Sequence, residues 1–352
     1  MRRAILIVNF GTPDAPKYGA VFRYLQQMLT DGRVLKIPAV LRWLLGGFLI
    51  PVVRSARSAR AYRSIWRAEG SPLRLQTEQL ALLLQQKFDQ EAATTATDSA
   101  KEQRVFYAMR LGQPSIPAVL RQIQHWQPEQ LTVATLYPQY ASSTIGSALQ
   151  QILSRIARWE SIPGLQVISD YADGRELAQA LIEPAMAHSQ YRSDLKDADH
   201  VLFSFHGLPV SHIQSSCSAG YRQDCPCTLQ AEPAQNRPLH CYRAACYTTA
   251  RAMARELNLP DKSWDLSFQS RFGSGWLEPF TDQLIADLVQ RGVRKLVVFC
   301  PSFMTDCLET LEEIGLSLQK SFLTLGGEQL TLIPAPGVHD RWVEYLYGLV
   351  RD

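Results

Sequence analysis

The chain has 352 residues, 46% of them hydrophobic and 20% charged, and 36 Lys and Arg against 33 Asp and Glu leave a formal net charge of +3. That length holds two domains of ordinary size, the composition is that of a soluble globular protein, and so small a charge, without a basic stripe interleaved with aromatics, gives no footing for nucleic-acid binding. Met1-Arg2-Arg3 and the apolar run that follows are too short for an export signal. The expected compartment is therefore the reducing cytoplasm, where clustered cysteines more often bind metal than form disulfides.

Residues 4–10 read as a first strand. Residues 34–53 are strongly apolar, but Lys36, Pro38, Arg42, Gly46-Gly47 and Pro51 interrupt them, so the unbroken part is expected to reach about half of the roughly 20 residues a bilayer span requires. Arg54, Arg57, Arg60, Arg63 and Arg67 come next. An apolar patch rimmed by cations is the pattern of an interfacial segment meeting anionic headgroups, although a buried helix with a solvated basic face fits the same residues. Residues 89–103, polar and rich in Ala and Thr, predict a surface insertion.

Further strand-like runs fall at 105–109, 131–136, 166–169, 200–205, 264–268, 295–299 and 329–333. Helical periodicity falls at 116–126, 146–159, 175–187, 248–257, 281–291 and 338–350. Strands alternating with helices imply parallel sheets with right-handed crossovers. The halves echo each other: Asn9-Phe10-Gly11-Thr12-Pro13 parallels Phe205-His206-Gly207-Leu208-Pro209, and Arg110-Leu111-Gly112 parallels Arg271-Phe272-Gly273. The fold class expected is α/β, with two similar Rossmann-like lobes (1–165 and 166–334) and a ligand cleft between them. A C-terminal helix (335–352) is expected to pack back on the first lobe.

Two stretches carry chemistry. Residues 201–209 form an apolar run that ends at His206-Gly207 and closes at Pro209, so a buried strand delivers a histidine to a turn at the sheet end where α/β folds bind ligands. A turn histidine satisfied by its neighbours would read the same. After the strand at 295–299, Asp306, Glu309 and Glu313 recur at i, i+3 and i+7 on one helix face. A helix start with Asp306 as N-cap and Glu309 in a capping box accounts for two of the three acids.

Together these stretches resemble the ferrochelatases, whose patterns are Phe-Ser-x-His-x-Leu-Pro and a later Ser/Thr-Asp-x-x-Glu-Thr-Leu-x-Glu. The segments 9–13, Gly70-Ser71-Pro72, Tyr137-Pro138-Gln139-Tyr140, Gln269-Ser270-Arg271-Phe272-Gly273 and Trp276-Leu277 fit the same family in the same order. The resemblance implies two chelatase-like lobes and insertion of Fe2+ into protoporphyrin, or alternatively coproporphyrin, with loss of two protons, in haem biosynthesis. It implies His206 and Glu309 at the metal, sharing the roles of base and ligand, with Asp306 and Glu313 passing protons or attracting the cation. Phe10, Tyr137, Trp276 and Phe303 would line the porphyrin slot, and Ser71 and Arg110 would meet its propionates. Residues 34–53 match the family's hydrophobic lip, which favours peripheral contact with the inner face of the cell membrane. The family often has Tyr where Leu111 stands and His where Cys307 stands.

Cys217, Cys225 and Cys227 lie in a segment full of Ser, Gly, Pro and Gln, with Cys241 after a second polar stretch and Cys246 expected at the start of a helix. Four thiolates of this kind can hold an iron–sulfur cluster, while structural zinc or free thiols remain the alternatives. Some relatives carry a two-iron cluster in an internal insertion, so the resemblance implies a [2Fe-2S] cluster on Cys217, Cys225, Cys227 and Cys241. Cys246 is the rival fourth ligand.

Overall fold

The computed structural model describes residues 1–94, 102–215, 217, 225 and 241–351. The chain divides into two compact units, Met1–Tyr137 with Ala141–Ser169 and Leu346–Asp352, and Pro138–Tyr140 with Asp170–Tyr345. Each is an α/β unit around a four-stranded parallel sheet flanked by helices. In the first, β1 (Arg2–Gly11), β2 (Glu102–Leu111), β3 (Gln130–Thr135) and β4 (Gly164–Ile168) lie in the order β2-β1-β3-β4. In the second, β5 (His200–His206), β6 (Trp264–Gln269), β7 (Lys295–Phe299) and β8 (Gln329–Leu332) lie in the order β6-β5-β7-β8.

The two sheets are built alike. In each, the first strand in sequence is central and covered on both faces, so it reads as an unbroken apolar run: Ala4 to Val8 are wholly buried, as are Leu202, Phe203 and Phe205. Each also closes its second strand with the same backbone device. Met109 N–H donates to Pro114 O at 2.7 Å, and Phe268 N–H to Pro279 O at 2.8 Å. Glycines stand where these central strands end because backbone crosses there. A Cβ on Gly11, whose φ is +100°, would lie 1.8 Å from Leu111 O, and one on Gly207 would lie 2.7 Å from Gln269 O.

The helix Asp340–Arg351 is shared by both units. Its final turn is held inside the first by Arg3, which is buried and donates to the carbonyls of Val350 and Arg351, satisfying orphan acceptors at a helix C-terminus.

Three local expectations are corrected. The breakers within 34–53 do not break the helix: Ala39–Leu44, a π segment Leu45–Leu49 and Ile50–Ile65 run on without interruption, long and apolar enough by length and composition to cross a bilayer. Pro38 sits at the N-cap and Pro51 follows the π turn, places where a missing N–H costs little. The surface insertion is shorter than expected, because helix Pro72–Thr94 and β2 take up most of 89–103, and only 95–101 lies outside the described residues. Gln85 ties the two, accepting from Val105 N–H and donating to Gln103 O. The helix after the cysteine segment begins at Tyr242, so Cys246 lies within it and Cys241 occupies its N-cap position.

Candidate active site

His206 is the last residue of β5 and its only incompletely buried one. Its Nδ1 lies 2.6 Å from Gly207 O. A carbonyl has no proton to give, so Nδ1 carries the hydrogen and Nε2 is the ring nitrogen left to take a proton or a metal. The turn is fixed by three contacts. Gly207 N–H donates to Gln269 O, Leu277 N–H donates to Leu208 O, and Pro209 bridges Trp276. Phe303 stands beside the imidazole, with ring centres 6.1 Å apart.

The register of β5 and β6 pairs His206 with Gln269, and the Gln269 side chain leads on to the acids. It accepts from Ser204 Oγ at 2.8 Å and donates through Nε2 to Glu309 O at 2.7 Å. Glu309 opens a π-helix, Glu309–Leu318, a wide turn that recurs at functional sites. Glu313, one turn on, is chelated by Ser270, whose N–H lies 2.7 Å from Oε1 and whose hydroxyl lies 2.5 Å from Oε2. Ser270 holds φ at +62°, a strained conformation that aims both donors at one carboxyl. Burial pushes the Glu313 carboxyl up to about 7, the negative charge of Glu309 adds to that, and the Ser270 bonds oppose it.

Asp306 precedes the helix instead of capping it. It is buried and accepts from Ala335 N–H at 3.1 Å, and the helix N-cap is Leu308, with no side-chain cap bond. Cys307 is buried as well. Burial, then the charge of Glu309 and a hydrogen bond with its side chain, push the thiol well up, so Cys307 stays protonated beside Glu309.

In the first unit Phe10, Arg110 and Tyr137 lie at or just past the C-terminal ends of β1, β2 and β3, and Ser71 is buried just before helix Pro72–Thr94. Arg110 is already engaged. Its Nε lies 2.5 Å from Ser147 Oγ and its Nη2 pairs with Asp31, which also accepts from Ser147. This group lines a polar cavity of about 600 Å³ with Gln27, Gln150 and Gln151. The Tyr137 hydroxyl is buried without a partner among the described residues. Burial, then the neighbouring Tyr24, raise its pKa well above the usual phenol range.

Sequence reasoning missed Gln269, Ser270, Tyr242 and Ser302 as supports of the site. The first two were quoted only as family pattern, and nothing in the spacing links Tyr242 to a histidine 36 residues earlier. Cys217 and Cys225 are partly exposed and Cys241 and Cys246 buried. Cys227 lies outside the described residues. Among the described residues no three His, Cys, Asp or Glu side chains are grouped as a bound ion would need.

Residues 2–352 match the family model described as Ferrochelatase. The chain is 39% identical over 354 residues to the ferrochelatase of Legionella pneumophila strain Paris, covering 100% of this chain and 99% of that protein. It is 38% identical over 349 residues to the ferrochelatase of Coxiella burnetii strain Dugway 5J108-111, covering 99% and 92%. Among solved structures it resembles SirB from Bacillus subtilis with Fe3+, at a TM-score of 0.51 and 12% identity over 100% of this chain and 95% of that one, a likeness of fold alone.

Proposed function

The chain belongs to the ferrochelatase family and inserts Fe2+ into a porphyrin in haem biosynthesis, and we propose that His206 at the end of β5 takes up the pyrrole protons or holds the incoming iron. The reaction removes two protons from pyrrole nitrogens and strips water from the metal. It needs a base, carboxylates and an apolar wall, and no covalent intermediate. The observation that carries the reading is the contact of His206 Nδ1 with Gly207 O, because it leaves Nε2 as the nitrogen that can meet a proton or a metal at the one open residue of the strand.

Glu309 shares the base and ligand roles with His206. Glu313, whose carboxyl titrates at about 7, is suited to receive a proton and release it at neutral pH. Asp306 contributes negative charge from its buried position beside Ala335. Phe10, Tyr137, Trp276 and Phe303 are assigned to the porphyrin ring and Ser71 and Arg110 to its propionates, on the family pattern. The polar cavity beside Arg110 supports the last of these. The apolar lip favours protoporphyrin over coproporphyrin. Its exposed Val40, Trp43, Phe48 and Val53, followed by exposed arginines, support peripheral contact with the cytoplasmic leaflet of the membrane.

A [2Fe-2S] cluster on Cys217, Cys225, Cys227 and Cys241 is the further reading of the cysteine segment. Cys217 and Cys225 keep partial exposure and Cys241 stands at the N-cap of helix Tyr242–Glu256, whereas Cys246 lies inside that helix. A bound cluster would supply redox sensing or stability, and metal insertion is not routed through it. Anaerobically purified protein should be red-brown, with Cys227→Ser bleaching it and Cys246→Ser sparing it. A colourless protein containing zinc would overturn this reading.

The main reading is tested with purified protein, Fe2+ and protoporphyrin under anaerobic conditions, following metalloporphyrin absorption in the parent and in Glu309→Gln. Turnover in the parent that falls steeply in the variant, with porphyrin binding kept, is expected. A variant that merely melts earlier would make Glu309 a structural residue.

A further inference from the structure

We propose that Tyr242 and Ser302 are positioning residues that hold His206 by its own peptide groups, replacing the strand that stops short of it. The inference rests on His206 being the residue at the reacting porphyrin.

β5 has neighbours on both sides, but they end at different heights. Its pairing with β6 continues to His206 and Gln269, whereas its pairing with β7 ends at Phe203 and Phe299. Gly207 N–H points toward β6, where it donates to Gln269 O. Successive peptide groups alternate in direction, so the N–H and C=O of His206 face the other side, beyond the end of β7. Backbone groups in that position must find other partners.

Two side chains supply them. His206 N–H donates to Ser302 Oγ at 3.3 Å, Tyr242 hydroxyl donates to His206 O at 2.7 Å, and the two hydroxyls lie 3.2 Å apart. The proton count leaves one arrangement. Tyr242 has given its single hydrogen to the carbonyl, so Ser302 donates to Tyr242. A closed ring results, running from His206 N–H to Ser302, from Ser302 to Tyr242, and from Tyr242 back to His206 C=O. Chains of hydrogen bonds strengthen one another where water is partly excluded, and this part-buried one is shielded by Tyr242, which is only 5% exposed. Both residues come from rigid places: Ser302 from the turn that ends β7, Tyr242 from the first residue of helix Tyr242–Glu256.

The ring fixes the peptide plane of His206 and, through it, the direction of the imidazole. Its loss should act on turnover more than on porphyrin capture, because misplacing a catalytic group by less than an ångström slows reaction without removing the binding surface. The test is anaerobic Fe2+ insertion with protoporphyrin in Tyr242→Phe, Ser302→Ala, the double variant and Ser302→Thr, with His206→Ala in parallel. Porphyrin binding is read by fluorescence quenching and stability by melting temperature.

Each hydroxyl deletion is expected to lower kcat about tenfold or more with KM for porphyrin within about twofold, the size of one lost hydrogen bond to a reacting residue. The double variant should be no worse than the poorer single, since either deletion opens the ring. Ser302→Thr, which keeps the hydroxyl, should retain turnover within about twofold of the parent. Parental kcat in both deletions while His206→Ala is inactive would overturn the positioning role and leave His206 standing. Parental kcat in His206→Ala would overturn the assignment of His206 itself. Should Tyr242→Phe fold poorly, the contrast between Ser302→Ala and Ser302→Thr decides the matter.

Discussion

The ring nitrogen Nδ1 of His206 is hydrogen-bonded at 2.6 Å to the carbonyl of Gly207, the residue that follows it. So short a loop of contact ties the imidazole to its own turn, and the turn has little freedom, since Gly207 backs directly onto Gln269 O. The free Nε2 is therefore aimed by local backbone and does not depend on a partner carboxylate.

His206→Ala should remove metal insertion while leaving folding and porphyrin binding nearly intact, because β5 keeps its buried apolar residues. Turnover within about tenfold of the parent, only ~1.4 kcal/mol on the barrier, would end the catalytic assignment. Gly207→Ala should impair turnover and stability together. Its Cβ has backbone, not a movable side chain, at 2.7 Å.

Glu313 gives a stability signature with a definite sign. Its carboxyl is raised from 4.5 to about 7, chiefly by burial. The native state then binds more protons than the unfolded chain between those values. Its contribution is complete below the unfolded value and is lost as pH rises through about 7, a change on the order of 3 kcal/mol at most. Denaturant unfolding of the parent and of Glu313→Gln from pH 5 to 8 should show the parent losing stability relative to the variant as pH rises. A constant difference between them would mean that Glu313 titrates as an ordinary carboxyl.

Asp31 should show the opposite slope. Burial works to raise its pKa, but hydrogen bonds from Ser147 and Arg33 N–H, with the charge of Arg110, outweigh it and hold the carboxyl below its ordinary 3.8. This contribution is present above the unfolded value and disappears as pH falls through the lower native one. Asp31→Asn strands Arg110, whose side chain is only 13% exposed, and should cost about 1–3 kcal/mol at pH 7. The cost should begin to shrink below about pH 3.8, where the unfolded carboxyl takes up a proton, and should be gone once pH has passed the lower native value and the parent loses the pair as well. An equal melting temperature for parent and variant at pH 7 would show the pair to be energetically idle.

What was legible in the chain was local and periodic. The strands announced themselves because buried parallel strands are unbroken apolar runs, and the ends of β1 and β5 carried Phe10-Gly11 and His206-Gly207 to matching places in the two sheets. What was not legible was every contact made across long sequence separations or by geometry outside the α and β periods. The alternating pattern could not show that Ser302 caps a peptide group 96 residues earlier, nor that Asp306 would accept from the N–H of Ala335. Gly46-Gly47 and Pro51 looked like breakers because propensity assumes an α-helix. The π segment Leu45–Leu49 accommodates them, and Gly46 lets the helix approach Leu29, whose carbonyl a Cβ would meet at 2.4 Å.

That same helix carries the last prediction. It docks on its own unit through one stripe, Pro51, Ser55, Ala59, Tyr62 and Ile65, with Tyr62 edge-on to Tyr24 at 6.2 Å. From Val40 to Val53 the helix is left apolar and open: Val40 is 83% exposed, Trp43 70%, Phe48 60% and Val53 71%. Arg54, Arg57, Arg60 and Arg63, all exposed, continue the same helix. An apolar face followed by cations binds an anionic bilayer by two separable terms. The apolar term, about 2–3 kcal/mol for each large side chain buried, is insensitive to salt, while the cationic term, about 1 kcal/mol for each residue near the surface, is screened by it. In vesicle flotation the parent should associate with anionic vesicles at low salt and more weakly at high salt. Trp43→Ser with Phe48→Ser should lose association under both conditions without lowering the melting temperature, because neither residue is part of the docked stripe. Arg57→Gln with Arg60→Gln should lose it chiefly at low salt. Parent protein that stays in the soluble fraction at both salt concentrations, with porphyrin present, would rule out the membrane contact.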